Sequence, residues 1–342
     1  IGTFSVGTGA SASASAFGYA STLAVSGKYG YMVAASGSGA YVVRTHEASA
    51  RAASWKADET PHEKRVLDSD ACVKCARGGS EGVITIVAMT PDERVFATCD
   101  DEGVVEFYAA RDASDGNATG EKFGEMTLAK PVRALKWCSD NESFVALAGD
   151  ALVYVEGVGK EPKEVAVGAS CVSARGNDVL AWASGDTVFI GSSSDPLKDP
   201  KEIIEMGPYR DEDDTVEVDG VYAVSADKLL VTARGVAEPN DCFLACVTKE
   251  PSGEWVRTRL DAAFDVDPEV VDLSGPVLGA NVFSAWNVVF ATHRKAWDNQ
   301  LLTLKIERDS TPCVYEVEDD RCFATVPMTV DDENNYVTGL GV

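Results

Sequence analysis

At 342 residues, 45% hydrophobic and 25% charged, the chain is long enough to bury a core as one large all-β domain or as two or three ordinary ones. Its 55 acids outnumber its 30 bases for a net charge of −25, which argues against a nucleic-acid backbone or an anionic membrane as a direct ligand and points to a basic partner. The longest apolar stretches, Gly82 to Met89 and Phe144 to Ala148, fall far short of the ~20 residues of a membrane helix, so a soluble chain without membrane insertion is expected.

The chain opens on Ile1, and no basic segment followed by an apolar one comes after it, so it reads as a fragment of a longer protein without a secretory signal. Residues 1–20 include the low-complexity run Gly9 to Ala16 and read as a flexible segment that could still supply a closing strand at Thr3 to Val6. From residue 21 a unit recurs: an apolar run, a short turn rich in Gly, Asp or Ser, then a second apolar run with β-branched or aromatic residues. Each copy predicts a β-hairpin.

The first hairpin is Tyr31 to Ala35 and Tyr41 to Val43 around Ser36-Gly37-Ser38-Gly39. After it, Ala48 to Val66 is charged, contains Pro61 and lacks a sustained apolar stripe, which reads as an excursion loop rather than a helix. The strand Val83 to Met89 and the turn Thr90 to Glu93 lead into the second hairpin, Val95 to Cys99 and Val104 to Tyr108. The third is Phe144 to Ala148 with Leu152 to Val155, and the fourth Val179 to Ala183 with Val188 to Ile190. Asp195 to Glu205 and Asp211 to Asp214 read as polar connectors. Leu229 to Ala233 with Cys242 to Val247, and Val288 to Thr292 with Leu301 to Ile306, complete six.

The hairpin starts advance by 64, 49, 35, 50 and 59 residues, bracketing the roughly 40 to 50 residues of a four-stranded propeller blade. Six copies plus the residues at both ends predict a WD-repeat-like, seven-bladed β-propeller over residues 21–342, with Thr3 to Val6 or Cys313 to Val317 closing the ring. A β-sandwich with a second domain is the structural rival.

Little in the sequence asks for chemistry. Nine cysteines, an odd number, lie mostly inside apolar runs and read as reduced, buried thiols. Cys72-Val73-Lys74-Cys75 has the spacing of a zinc half-site, but no second half follows, His46 and His62 are isolated, and on a strand the two thiols would face opposite ways. The acidic runs Asp211 to Asp214 and Asp331 to Glu333 lack the spaced ligands of a calcium loop, and Gly157-Val158-Gly159-Lys160 lacks the full spacing of a phosphate loop and reads as a turn. Three histidines leave little for general base catalysis, and His293 reads as a surface loop residue. No catalytic residue, metal or cofactor is expected, although a propeller hydrolase stays as a rival because the fold hosts enzymes.

Ser21 to Ala35, with Leu23-Ala24-Val25-Ser26 before Lys28-Tyr29-Gly30 and an apolar strand, resembles the opening blade of a known family. Ala285-Trp286-Asn287-Val288 resembles its late-blade strand, and Val326-Pro327-Met328 with the acids that follow resembles the segment where its propeller ends. The family is the N-terminal β-propeller of the FG nucleoporins of the cytoplasmic face of the nuclear pore (214 kDa in vertebrates, 159 kDa in fungi), and the landmarks keep its order from residue 21 to the end.

The resemblance implies a non-enzymatic domain of the nuclear pore complex, at the nuclear envelope, that docks a DEAD-box RNA helicase in mRNA export through its late blades, in competition with RNA. Coiled coils and Phe-Gly repeats, hence contacts with other nucleoporins, would lie outside this fragment, which holds only Phe17-Gly18 and Phe123-Gly124. Residues 293–321 correspond to the late blades, and their bases Arg294, Lys295, Arg308 and Arg321 are candidate contacts, since a scarce cation can fix register against a partner carboxylate. The alternative reading is a WD-like scaffold in another assembly.

Overall fold

A computed structural model of the chain describes residues 22–54, 67, 71–111, 118–129, 131–175, 178–200, 202–207, 215–225, 227–237 and 242–258, and beyond these the strand segments 261–262, 271–273, 277–282, 287–292, 301–305 and 313–316. Among the described residues six predominantly antiparallel sheets follow one another along the chain, each a meander in sequence order. The first sheet holds β1 (Leu23–Ser26), β2 (Tyr31–Ser36), β3 (Gly39–Arg44) and, beyond helix α1 (Thr45–Ser54), β4 (Cys72–Lys74). The second holds β5 (Ile84–Met89), β6 (Val95–Asp100), β7 (Val104–Arg111) and β8 (Ala118–Thr127). The third runs β9 (Val132–Trp137), β10 (Phe144–Ala148), β11 (Ala151–Val155) and β12 (Lys163–Val167), and the fourth β13 (Cys171–Arg175), β14 (Val179–Ser184), β15 (Thr187–Gly191) and β16 (Glu202–Glu205).

The fifth comprises β17 (Val216–Ser225), β18 (Lys228–Gly235), β19 (Cys242–Lys249) and β20 (Trp255–Thr258). Two short strands come next, β21 (Asp261–Ala262) and β22 (Val271–Leu273), the latter also pairing β19. The sixth sheet orders β23 (Val277–Val282), β24 (Asn287–Thr292), β25 (Leu301–Lys305) and β26 (Cys313–Glu316), with β21 parallel to β26. The first strand of each sheet lies beside the first strand of the next: β1 by β5, β5 by β9, β9 by β13, β13 by β17, β17 by β23. Meanders set side by side on their first strands make this an all-β β-propeller.

All six hairpins expected from sequence are the second and third strands of a sheet. Second strands such as β6, β10 and β14 are covered on both faces, so they read as unbroken apolar runs; every residue of β10 is buried. Side chains from neighbouring sheets meet between them, giving a succession of cores rather than one. Phe107 of the second sheet and Trp137 and Phe144 of the third gather with ring centroids 5.5 to 5.9 Å apart, and the Trp137 indole donates to the Ala88 carbonyl at 3.1 Å. Similar clusters separate the first sheet from the second, the third from the fourth and the fourth from the fifth.

Two expectations are corrected. Helix α1 (Thr45–Ser54) takes up the start of the excursion loop expected at Ala48 to Val66, because alanine-rich sequence has high helix propensity without large apolar groups. One small contact docks it: buried Ala48 packs with Val43, Leu67 and Ala71. The connector expected at 195–205 ends in a strand, β16, where Ile204 pairs with Val188 and enters the core while Ile203, beside Glu202, stays exposed. Cys313–Glu316 belongs to the sixth meander, antiparallel to β25. The other closing candidate, Thr3 to Val6, lies outside the described residues, as do parts of the ends on which the count of seven blades drew.

Candidate interaction surface

The sequence-predicted contacts Arg294, Lys295, Arg308 and Arg321 lie outside the described residues, as do His293, His62 and the two acidic runs at 211–214 and 331–333. The turn expected at Gly157 to Lys160 is present, closed by the Lys160 N–H on the Gly157 carbonyl at 3.0 Å. Cys72 is half-buried on β4 and Cys75 is buried just beyond it, both as free thiols. Burial pushes the Cys75 thiol up to about 12 and also raises Cys72. Cys171, on β13, is likewise pushed up to about 12 by burial. A protonated thiol is a poor nucleophile, the reverse of what a catalytic cysteine needs. Among the described residues no group of three or more His, Cys, Asp and Glu could hold a metal ion. No helix among them is long and apolar enough to cross a membrane.

The structure reveals two charged constellations that the sequence reading did not assemble. The first is buried at the junction of the first two sheets. Arg77, on the connection after β4, donates to Glu106 at 2.6 Å, to Asp100 at 2.8 Å and to the Gly82 carbonyl at 2.8 Å. Lys122 from β8 reaches the other Glu106 oxygen at 2.8 Å, with the Gly78 N–H at 2.7 Å and the Tyr108 hydroxyl at 2.9 Å completing that carboxylate's partners. Asp100 also takes the Ser80 hydroxyl and the N–H groups of Glu102 and Val104. Both acids are essentially inaccessible, Asp100 at 1% and Glu106 at 0%. Every oxygen is used, so the network fastens the two sheets and presents nothing to a partner.

The second constellation is at the surface. The β1–β2 turn carries Lys28 and Tyr29, the β5–β6 turn carries Arg94, and Arg111 ends β7, the strand that returns toward that turn. The Arg111 guanidinium sits over the Tyr29 ring at 4.0 Å from its centroid, and the Lys28 ammonium lies at 5.1 Å. Arg94 and Lys28 beside the phenol lower its pKa. Neighbouring turns fix this geometry: the Glu93 carboxylate accepts from the Ser26 hydroxyl at 2.5 Å and the Lys28 N–H at 2.9 Å, and Tyr31 donates to the Glu93 carbonyl. Lys28-Tyr29 stands inside the first family-like motif, the one signal that could have drawn attention to the site. Arg94 and Arg111 join it only through folding.

Large exposed apolar side chains are dispersed: Phe123, Val167 and Ile203 stand on the fourth strands of three different sheets, and Leu197 and Val236 on loops. Scattered singly, they need no special explanation.

No family model and no curated protein matches the chain. Among solved structures it is similar to the N-terminal domain of Nup159, with TM-score 0.59 and 14% identity over 94% of this chain and 83% of that one. It is similar at TM-score 0.54 and 14% identity, over 94% of this chain and 82% of that one, to a chain of the S. cerevisiae complex of Dbp5 bound to Nup159, Gle1, IP6 and ADP. The β-propeller domain of Myceliophteria thermophila Cps50 (Swd1) matches at TM-score 0.54 and 10% identity, over 88% of this chain and 86% of that one. At these identities the likeness establishes the β-propeller fold.

Proposed function

We propose that this chain is a non-enzymatic docking domain of a nuclear pore protein, acting at the cytoplasmic face, that binds a DEAD-box RNA helicase of mRNA export and excludes RNA from it. The observation that carries the reading is the likeness over 94% of the chain to the Nup159 N-terminal domain, a protein that one of the matching structures describes as bound to Dbp5. The Ser21 to Ala35 landmark supports it, since Leu23–Ser26 and Tyr31–Ser36 open the first sheet as the first blade of that family would. Charge supports it independently. A helicase that grips RNA offers a basic face, and a chain of net charge −25 can engage that face while having no counterion-release drive toward RNA itself. Other nucleoporins would be met through regions outside this chain.

A competition assay with purified helicase and fluorescent RNA tests the reading. Added propeller is expected to raise the apparent RNA dissociation constant, and RNA to weaken propeller binding by the same factor, as linkage requires. A ternary complex with undiminished RNA affinity overturns the exclusion, and absence of any complex overturns the helicase. Charge reversal at Arg294 and Arg308 tests the late-blade contacts: weaker helicase binding with an unchanged melting curve is expected, and wild-type affinity in both variants removes them. The Swd1 likeness favours a second reading, a WD-like scaffold in another assembly, for which the helicase would show no affinity.

A further inference from the structure

Strand β9 is the innermost strand of the third sheet, hydrogen-bonded to β10 and set between the first strands of the neighbouring sheets, β5 and β13. On it Lys136 stands where the pattern asks for an apolar residue. Ala134 and Cys138, two positions to either side on the same face, and Val145, its partner on β10, all belong to the core between the third and fourth sheets. Solvent reaches Lys136 all the same, whereas Leu135 and Trp137 beside it are buried. The unpaired side of an innermost strand faces the central channel of a propeller, and there the amine is open.

No carboxylate is at hand to hold its proton. Strands β5 and β10 carry no titratable side chain, and β13 carries only Cys171 and Arg175. Elsewhere along β9, the Arg133 guanidinium donates to the Ala169 carbonyl at 2.7 Å, and Cys138 is a buried free thiol. The acids whose charge reaches Cys138, Asp140 and Asp178, hold their own turns. Asp140 accepts from the Ser143 hydroxyl at 2.6 Å, and Asp178 from the Ser192 hydroxyl at 2.6 Å and the Ser194 N–H at 2.7 Å. Among the described residues the Lys136 amine has no hydrogen bond and no ion pair. An ammonium with apolar neighbours and no anion is disfavoured against the neutral amine, and burial lowers its pKa from the ordinary 10.5.

We propose that Lys136 is an acylation site, a nucleophilic amine on the channel side of β9 that takes the acyl group of a small uncharged thioester. The neutral nitrogen attacks the carbonyl carbon, and the N–C bond forms as the C–S bond breaks. The thiol leaves with the proton that nitrogen releases, so the products are the Lys136 amide and the free thiol. The amide carries no charge to desolvate and suits this apolar face better than the ammonium does. Field and surroundings select the donor: a net charge of −25 repels an anionic acyl donor, and the apolar neighbours Ala134, Cys138 and Val145 accept an uncharged one. The site is separate from residues 293–321 and goes beyond the helicase reading without depending on it.

The test incubates the whole chain with S-acetyl-N-acetylcysteamine and follows acetylation of each lysine by mass spectrometry of the digest. At about pH 8, Lys136 should acetylate about threefold faster or more than Lys160 and Lys198, two exposed lysines, because more of its amine is neutral. Its rate should also level off at a lower pH than theirs. In urea the three rates should converge, since the advantage belongs to the fold. Labelling of Lys136 no faster than that of Lys160 and Lys198, or a pH profile coincident with theirs, overturns the proposal. So does a preference that persists in urea. An equal or larger preference with acetyl phosphate, an anionic donor, overturns the choice of an uncharged one. Because no helicase enters the assay, its failure is distinct from failure of the helicase reading.

Discussion

Burial alone would raise the Glu106 carboxyl, but Lys122, the Gly78 N–H, Arg77 and the Tyr108 hydroxyl together outweigh it and hold the group at about 2. Since the folded value lies below the ordinary 4.5, the stabilisation from Glu106 is complete above that pH and is lost as pH falls through about 2. Glu106→Gln leaves Arg77 and Lys122 facing a neutral amide, and breaking a buried pair in this way costs about 3 kcal/mol or more. The variant should melt lower at neutral pH and lose much of the wild-type decline in melting temperature between about pH 5 and pH 2. An unchanged acid profile would show that Glu106 does not carry this dependence. The thiols give a second expectation. Cys75 is buried and pushed up to about 12, and burial pushes Cys138 up to about 11, so both should resist iodoacetamide in the native protein and react on unfolding. Mass-spectrometric labelling of either in the native state would contradict their placement.

The connections between first and second strands repeat a backbone device. In three consecutive sheets a residue other than glycine takes φ of 62°: Glu93, Asn141 and Asp178. Asn and Asp tolerate the left-handed region because a short polar side chain can bond locally. Asn141 adds a link across sheets, its side-chain oxygen accepting the Asp92 N–H at 2.8 Å. Asn141→Gly should lose that bond and the weak one its side-chain amide donates to the Ser139 carbonyl at 3.5 Å, about 1 kcal/mol together, whereas Asn141→Ala loses the same bonds and adds roughly 1 kcal/mol of left-handed strain. Chemical denaturation should rank wild type, then Gly, then Ala; an Ala variant as stable as the Gly variant would sink the argument. These elements also mark what was legible beforehand. Second and third strands, apolar on both faces, declared themselves, whereas fourth strands such as Lys163-Glu164-Val165-Ala166-Val167 are largely exposed and carry no such pattern. Helix α1 escaped notice because alanine supplies propensity without a stripe, and β16 because only one of its two isoleucines is buried.

Across the whole molecule the sheets are held by a series of inter-sheet cores, so the surface is free to carry charge, and the net value of −25 was readable at once. The cluster of Lys28, Arg94 and Arg111 around Tyr29 was not, because these residues are far apart in sequence and meet only when consecutive sheets align their turns. Two electrostatic effects oppose each other in the folded state. Exposed pairs such as Lys163–Glu156 at 2.5 Å and Arg234–Glu217 at 2.9 Å contribute little and are weakened by salt. The excess of 25 negative charges repels itself in the compact state, and salt relieves that repulsion. With 55 acids against 30 bases, at least 25 acids cannot find a basic partner of their own, so relief of repulsion should win. Raising sodium chloride from about 10 mM to about 200 mM, which shortens the Debye length from about 30 Å to below 10 Å, should raise the melting temperature by about 2 °C or more. The buried Arg77–Glu106–Lys122 network is screened far less, so the deficit of Glu106→Gln should be nearly the same at both salt concentrations. A melting temperature that falls with salt would mean that surface pairing, not net repulsion, governs the charge balance of this propeller.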